Sequence, residues 1–333
     1  EDISNTGTVV EKDIVIVIGG GLAGLATALY LSKSGKFKVI CIEENEKVGM
    51  ETSFMNGSLA CPSLTKPWTN ISNLKSFMKE ITLSENDAMK SIDIIWSKVV
   101  FDIEFWKWCS HFVINAIEPD RFNQLYKASF DLSMYSSTCM SEFIDKQQIT
   151  PGNAIGTLQL FQTISDRTIQ YNMISQVVPN IRGIDAIDIP HMYSAILDPI
   201  KFQGGAIHSN LDTSYDIHIL CNELYTQALH HNVEFRMNTH VERLVSIDQL
   251  NVQNEGSGKT NNKAKGIIGG VDYVELGDGK RIYGNHFVIC CGNHSNCLSD
   301  SIQDGVLSWP VMGYSVEMKL ENLESSTEIQ HSG

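Results

Sequence analysis

Basic side chains are scarce in this chain of 333 residues: 25 lysines and arginines stand against 39 aspartates and glutamates, a net charge of −14. A surface that acidic repels phosphate backbones, so nucleic acid is not expected as a partner. Cysteine is sparse as well. Eight thiols in 333 residues are too few for a disulfide framework, which favours a reducing intracellular compartment, cytoplasm or organelle. Cys41, Cys221, Cys290 and Cys291 lie inside apolar runs, where a free thiol acts as a small hydrophobe. Cys291, His294 and Cys297 come closest to a metal set, yet no CxxC or HxxxH pair accompanies them, and no metal is expected. Long apolar runs are missing too: none approaches the roughly 18 to 20 residues that span a bilayer. Internal repeats are absent. Glu1 stands where Met would begin a gene product, which fits removal of a leader.

What remains is an ordinary folded composition, 42% hydrophobic and 19% charged, long enough for two domains of roughly 150 residues. Residues 1–12 are polar. From Asp13 the pattern changes: Ile14 to Ile18 is a β-branched apolar run fit for a strand buried on both faces. Three glycines, Gly19 to Gly21, lead into a helix with Leu22, Leu25, Ala26 and Leu29 at helical spacing and Gly35 as its stop. Lys38 to Glu44 is a second buried strand. Strand, glycine turn, helix and strand make the front of a right-handed βαβ unit.

The stretch 66–200 differs in character and holds Trp68, Trp96, Trp106 and Trp108. Ile92, Ile95, Trp96, Val99, Ile103 and Trp106 follow one helical spacing. Lys98, Asp102, Glu104 and Lys107 mix both signs on its polar side, which favours a packed helix over a membrane-docking one; peripheral membrane contact stays open. Gly156 to Phe161 alternates like a half-buried strand. Asp216 can cap a helix whose Ile217, Leu220, Cys221, Leu224 and Ala228 share a face. Strands are expected at Val233 to Met237, Val241 to Ile247, Ile267 to Glu275, Arg281 to Tyr283 and His286 to Cys291, with a polar insertion over 251–265 and a turn at Asp278-Gly279.

The strongest chemical signal is Gly19-Gly20-Gly21-Leu22-Ala23-Gly24. A bare GxGxxG is weak, but this one follows a buried strand, opens a helix and is answered by Glu43 at the end of the next strand. Gly19 permits the tight turn, Gly21 lets a pyrophosphate approach the positive helix end, and Gly24 lets helix and strand pack closely. Glu43 suits an adenosine ribose and disfavours a 2′-phosphate. A nicotinamide dehydrogenase would continue its parallel sheet at once, whereas a long segment of different character intervenes here. That discontinuity resembles the two-dinucleotide-binding-domain flavoproteins, which implies FAD and an α/β chain with a Rossmann-like FAD-binding domain, discontinuous over 1–65 and 204–308, and a mixed-sheet substrate domain over 66–203 and 309–333. His208, His218 and His240 are scattered, as surface or satisfied core histidines are. The NxS triplets at Asn56, Asn70 and Asn293 read as accidental.

Four stretches carry a resemblance: Glu51 to Trp68 (ETSFMNGSLACPSLTKPW), Gly156 to Phe161 (GTLQLF), Gly204 to Leu224 with the strand that follows, and the pair FVICCGNHSNCL and WPVMGYSVEM. In these the chain resembles the D-amino-acid oxidase superfamily of FAD-dependent oxidoreductases, nearest its bacterial D-amino-acid dehydrogenase small subunits. The resemblance implies that Gly19, Gly21, Leu22, Ala23 and Gly24 form the dinucleotide turn and that Glu43, with Glu44, serves the ribose. It places Thr52, Ser53 and Asn56 along the pyrophosphate and flavin, the Val241 backbone at adenine, and Gly292 near the cofactor's middle. As plain residues, Ser53 and Asn56 also suit a capped turn, and Val241 a core position. Tyr314 is a candidate for the substrate pocket, with a core aromatic as the rival role.

The implied chemistry is oxidation of a D-amino acid, by hydride transfer to flavin, to a 2-oxo acid and ammonia, with no catalytic acid or base assigned. The electrons would go to a quinone or respiratory carrier, or to oxygen. Related amine or 2-hydroxy-acid oxidation and an inactive flavin-binding module are the alternatives. Three departures stand out: Phe54-Met55 where the family loop has two small residues, Ser58 for a glycine, and Met312 for a lysine or arginine. The family continues past the position of Gly333, and its carboxylate-binding arginine has no counterpart after Arg281. The expectation is therefore a fragment of a longer product or a degenerate flavoprotein.

Overall fold

A strand that is apolar on both sides must be covered on both sides, and β1 (Asp13–Ile18) is buried from Val15 to Ile18. In the computed structural model, which describes residues 12–54, 56–82, 96–149, 154–189, 201–245, 270–295 and 298, β1 lies inside a parallel sheet. The order is β11–β1–β2–β7, with β2 at Phe37–Ile42, β7 at Glu234–Arg236 and β11 at His286–Ile289. Alternation divides the covering work. Ile16 and Ile18 of β1, with Ile40 and Ile42 of β2, meet Val241, Leu244, Val274, Leu276 and Ile282 from an antiparallel meander. That meander is β8 (Val241–Val245), β9 (Tyr273–Leu276) and β10 (Arg281–Tyr283), in the order β10–β9–β8.

On the other side, helix α1 (Leu22–Lys33) buries Gly24, Leu25, Ala28 and Leu29 and packs on α7 (Ile217–His230). Helix α7 buries Ile217, Leu220, Cys221, Leu224 and Ala228, the five residues that share its apolar face in the sequence. Past the last turn of α1, Gly35 turns the chain with φ +71°, a conformation that favours glycine.

The chain divides into two units, Glu1–Asn56 with Ile217–Val311 and Gly57–Asp216 with Met312–Gly333. These boundaries differ from 65/66 and 203/204 for a physical reason. Strand β6 (Gly205–Ser214), expected with the FAD-binding part, is the centre of the second unit's antiparallel sheet. It pairs with β4 (Ala154–Phe161), with β5 (Arg182–Ile184) and with β3 (Leu59–Ala60). The 308/309 boundary lies outside the described residues. Helices clothe one face of this sheet: Tyr126 and Phe130 of α5 (Pro119–Gln147) and Ile174 of α6 (Ile164–Ile174) gather on Ile207. Below them Asp212, fully buried, accepts hydrogen bonds from the Ser63 amide at 2.9 Å and from the hydroxyls of Ser63 and Thr157. Ser58, where the resemblance expects glycine, adopts φ +52°, the left-handed region.

The single helix expected through Ile92 to Trp106 is overturned. Ile92 and Ile95 lie outside the described residues. The rest splits into α3 (Trp96–Val99) and α4 (Ile103–Ile117), because the Asp102 side chain accepts the Glu104 and Phe105 amides and so starts a new helix. The cap resets the helical phase: Phe105 and Ala116 turn inward, while Ile103, Trp106, Ile114 and Ile117 are exposed. Helix α2 (Ile71–Thr82) packs beside α4. No helix among the described residues is long and apolar enough to cross a membrane.

Candidate functional site

The glycine turn after β1 is the floor of a cleft in the first unit. Gly19, with φ +102°, leaves β1 so close to β11 that a Cβ there would press on the Cys290 carbonyl. Gly24 lies under the turn, and a Cβ on it would overlap the Gly19 carbonyl oxygen. Above the turn is a cleft of about 970 Å³. Its wall takes in Gly19, Gly21, Leu22 and Ala23 from the turn and α1, Glu43 and Glu44 after β2, and Thr52 and Ser53 from the next loop. Val241 of β8 and Gly292, in a 3-10 turn after β11, also line it. Gly24 and Asn56 do not line it: Gly24 supports the turn from beneath, and Asn56 ends the first unit. Tyr314, Cys297 and Met55 lie outside the described residues. Among the described residues no group of three acidic, histidine or cysteine side chains is placed to hold a metal.

The cleft floor fits an anion. Helix α1 begins at Gly21 with extended backbone, no side-chain cap and no acidic residue in its first turn, so the positive helix end opens toward the cleft. Ser53 Oγ accepts the Leu22 amide at 3.0 Å and stands 3.2 Å from where a Gly21 Cβ would be. A larger residue at Gly21 would push that hydroxyl aside and fill the cradle.

Glu43 lines the cleft and is also bonded within the chain. Only 7% exposed, it accepts the Gly20 amide at 2.6 Å on Oε2, and the Asn45 amide at 2.9 Å and side-chain amide at 2.8 Å on Oε1. Its carboxylate thus ties the glycine turn to the end of β2. Beyond it the wall is built by a backbone ladder. The Glu43 amide donates to Arg236 O at 2.9 Å, Thr239 to Glu43 O at 2.9 Å and Asn238 to Asn45 O at 3.0 Å. This ladder brings Thr239 and His240 into the wall. His240, expected to be an ordinary scattered histidine, has Nδ1 2.9 Å from Glu44 Oε1 and Nε2 3.5 Å from Glu242 Oε2. Only the fold pairs residues 44 and 240, so no local pattern could have found them.

The thiols near the turn are silenced by burial. Cys41 is pushed up to about 12 by desolvation, reinforced by Glu43 and by Cys290 and Cys291. Burial pushes Cys291 up to about 11 and raises Cys290 as well. At neutral pH all three stay protonated, which leaves them packing residues rather than nucleophiles. Phe54, one of the departures in the loop, sets its ring edge-on to His218 with centroids 4.7 Å apart.

A family model described as FAD dependent oxidoreductase matches residues 15–331. D-amino acid dehydrogenase of Paramagnetospirillum magneticum is 27% identical over 238 residues, 70% of this chain and 54% of that protein. D-amino acid dehydrogenase 3 of Mesorhizobium japonicum is 24% identical over 313 residues, 92% of this chain and 68% of its own length. Among solved structures, L-amino acid deaminase from Proteus myxofaciens aligns with a TM-score of 0.54 at 15% identity, covering 90% of this chain and 50% of that one. Glycine oxidase from Geobacillus kaustophilus aligns at 0.53 and 12%, covering 88% and 59%. These likenesses show a shared fold, and the chain spans about half to two thirds of the length of the proteins it matches.

Proposed function

The chain belongs to the FAD-dependent oxidoreductase family, and from that premise we propose that its first unit holds FAD in the glycine-floored cleft for the oxidation of a D-amino acid. The observation that carries the reading is the start of α1 beneath that cleft, where Gly21 brings no side chain and Ser53 Oγ meets only the Leu22 amide, flanked by a carboxylate-lined wall. Gly21 and the positive start of α1 would hold the pyrophosphate, and Ser53, which accepts the Leu22 amide, holds the loop against the helix start. Glu43 keeps the turn closed. Val241 and Gly292, both on the cleft wall, would hold the adenine side and the middle of the cofactor. The D-amino-acid specificity rests on the names of the two curated relatives.

When bound, FAD supplies the two-electron acceptor: the amine gives up a hydride from Cα and a proton from nitrogen, and the resulting imine takes up water to release a 2-oxo acid and ammonia. The protein's own part is to bind, orient and exclude water. No side chain of the described cleft is assigned a proton-transfer role, and the buried thiols are unsuited to one. The electrons leave to a quinone or respiratory carrier in this reading.

The test is the visible spectrum of the purified chain, before and after anaerobic addition of D-amino acids, with L-amino acids, glycine and 2-hydroxy acids as separate arms. A flavin spectrum bleached by D-amino acids alone is the expected result. Bleaching by another arm would replace the substrate class and keep the cofactor. A flavin spectrum unmoved by every arm would leave a binding module, and a colourless protein would sink the reading. After bleaching, reoxidation by a quinone analogue faster than by oxygen separates the two acceptors.

A further inference from the structure

Helix α4 carries an apolar stripe on the side opposite the one it buries. Phe105 and Ala116 turn inward, while Ile103, Trp106, Val113, Ile114 and Ile117 point outward at helical spacing. Phe101, just before the helix, is 96% exposed. The polar groups along this side are already satisfied within the chain. The Trp106 indole N–H donates to Val100 O at 3.0 Å, the Ser110 hydroxyl to Lys107 O at 2.7 Å, and Lys107 Nζ to Glu104 Oε1 at 2.5 Å. Covering the stripe would strand none of these donors. Trp106 is also held in place, edge-on to Phe105 with ring centroids 5.3 Å apart.

The stripe reads alike from both ends. Ser110 is the middle residue of α4, seven positions from Ile103 and from Ile117, with Trp106 and Ile114 four to either side. A second α4 laid antiparallel about a two-fold axis at Ser110 sets Ile103 against Ile117 and Trp106 against Ile114. Ser110 then meets itself, and a small side chain there lets the two backbones approach. We infer that this face of α4 is an isologous interface between two copies of the chain. The area suffices: Phe101 and the five outward residues of the stripe offer roughly 600 Å², which the polar flank extends toward the roughly 800 Å² per partner of a standard interface. Charge agrees. The chain carries −14, yet α4 holds a single carboxylate, Glu104, and Lys107 pairs with it. In the antiparallel pair the two Glu104 side chains lie at opposite ends, so like charges are kept apart. A lipid surface would favour lysine and arginine along the polar side, whereas α4 has one lysine and no arginine, and a serine in the middle of its stripe.

The mass of the purified full chain is measured by sedimentation equilibrium at about 1 μM and about 100 μM, because interfaces of standard size reach from micromolar Kd downward. At the higher concentration the expected mass is twice the chain's 37.1 kDa. Ser110→Arg, which sets a charge against its own copy, and Ile114→Asp should leave the monomer at both concentrations. Ile164→Asp, at an exposed isoleucine of α6, should stay dimeric. At about 1 μM all three variants should melt within about 3 °C of the parent. Register is read by cross-linking with diamide, which takes two electrons and two protons from a pair of thiols as the disulfide forms. Ser110→Cys should link to its copy. Glu104→Cys, whose copies stand roughly 18 Å apart, and the parent with its native cysteines should not. A chain that is monomeric at both concentrations would overturn the inference, as would a dimer that survives Ser110→Arg and Ile114→Asp. Cross-linking of Ser110→Cys no better than of Glu104→Cys would overturn it too. So would binding to phosphatidylcholine or phosphatidylglycerol vesicles that Ile114→Asp abolishes, in a chain that does not self-associate, since a lipid surface would then be the occupant.

Discussion

The two units solve the same packing problem with different materials. The first covers a parallel sheet on both faces, and its strands are so uniformly apolar that Val15 to Ile18 and Val39 to Ile42 are almost fully buried. The second builds its antiparallel sheet around β6, whose ten residues include His208, Ser209, Asn210, Asp212, Thr213 and Ser214. Of these only Ser209 and Asp212 are buried, and Asp212 is the centre of a cluster with Ser63 and Thr157. The glycine turn of the first unit therefore depends on close backbone packing at Gly19 and Gly24, and the sheet centre of the second on satisfying the buried Asp212 carboxylate. The second also leaves apolar side chains of α4 facing outward, Ile103 at 68% and Ile117 at 58% exposed.

That contrast is easiest to break at Gly24. Its missing side chain is replaced in space by the Gly19 backbone, which cannot yield as a flexible side chain would. Gly24→Val should cost about 3–5 kcal/mol or more and abolish flavin retention, read by chemical denaturation and by absorbance. A stable Gly24→Val protein that still binds flavin would remove the close-packing account of the first unit. A smaller effect is expected at the polar centre of the second unit. Asp212→Ala strands the Ser63 amide and two hydroxyls, at a cost of about 2–4 kcal/mol in urea denaturation. Asp212→Asn should cost less because it keeps an acceptor. Equal losses for the two variants would point to packing rather than hydrogen bonding. The smallest effect belongs to the outward face of α4. Ile117→Ser should change stability by no more than about 0.5 kcal/mol at concentrations where the chain is a monomer, and a loss of several times that would mean that the face is covered within the chain.

Much of the first unit was legible because its signals are local. A buried strand, a glycine turn and an amphipathic helix each declare themselves within a dozen residues, and the apolar face of α7 reads off the sequence residue for residue. Most of the cleft wall was legible for the same reason, from Gly19 through Glu44 and on to Ser53. The second unit was harder. The polar residues of β6 blur its period of two, and the long α5 spreads its buried Tyr126, Phe130, Phe143 and Ile144 over 29 mixed residues. The helical spacing through Trp106 misled, because Asp102 stops one helix and starts another, and a spacing count takes no notice of caps.

The sequence by itself determined which strands would be central, where the glycine turn would fall and that an acidic residue would answer it. These follow from hydrophobic period, backbone sterics and helix-end electrostatics, all of which act over short stretches of chain. Tertiary structure decided what each of the two acidic neighbours bonds to. Glu43 and Glu44 are adjacent and chemically alike, but the chain leaving β2 turns one inward to the Gly20 amide and the other outward to His240, 196 positions away. It also decided that β6 closes the second sheet rather than extending the first, since pairing partners are chosen by the whole register and not by the strand's own residues.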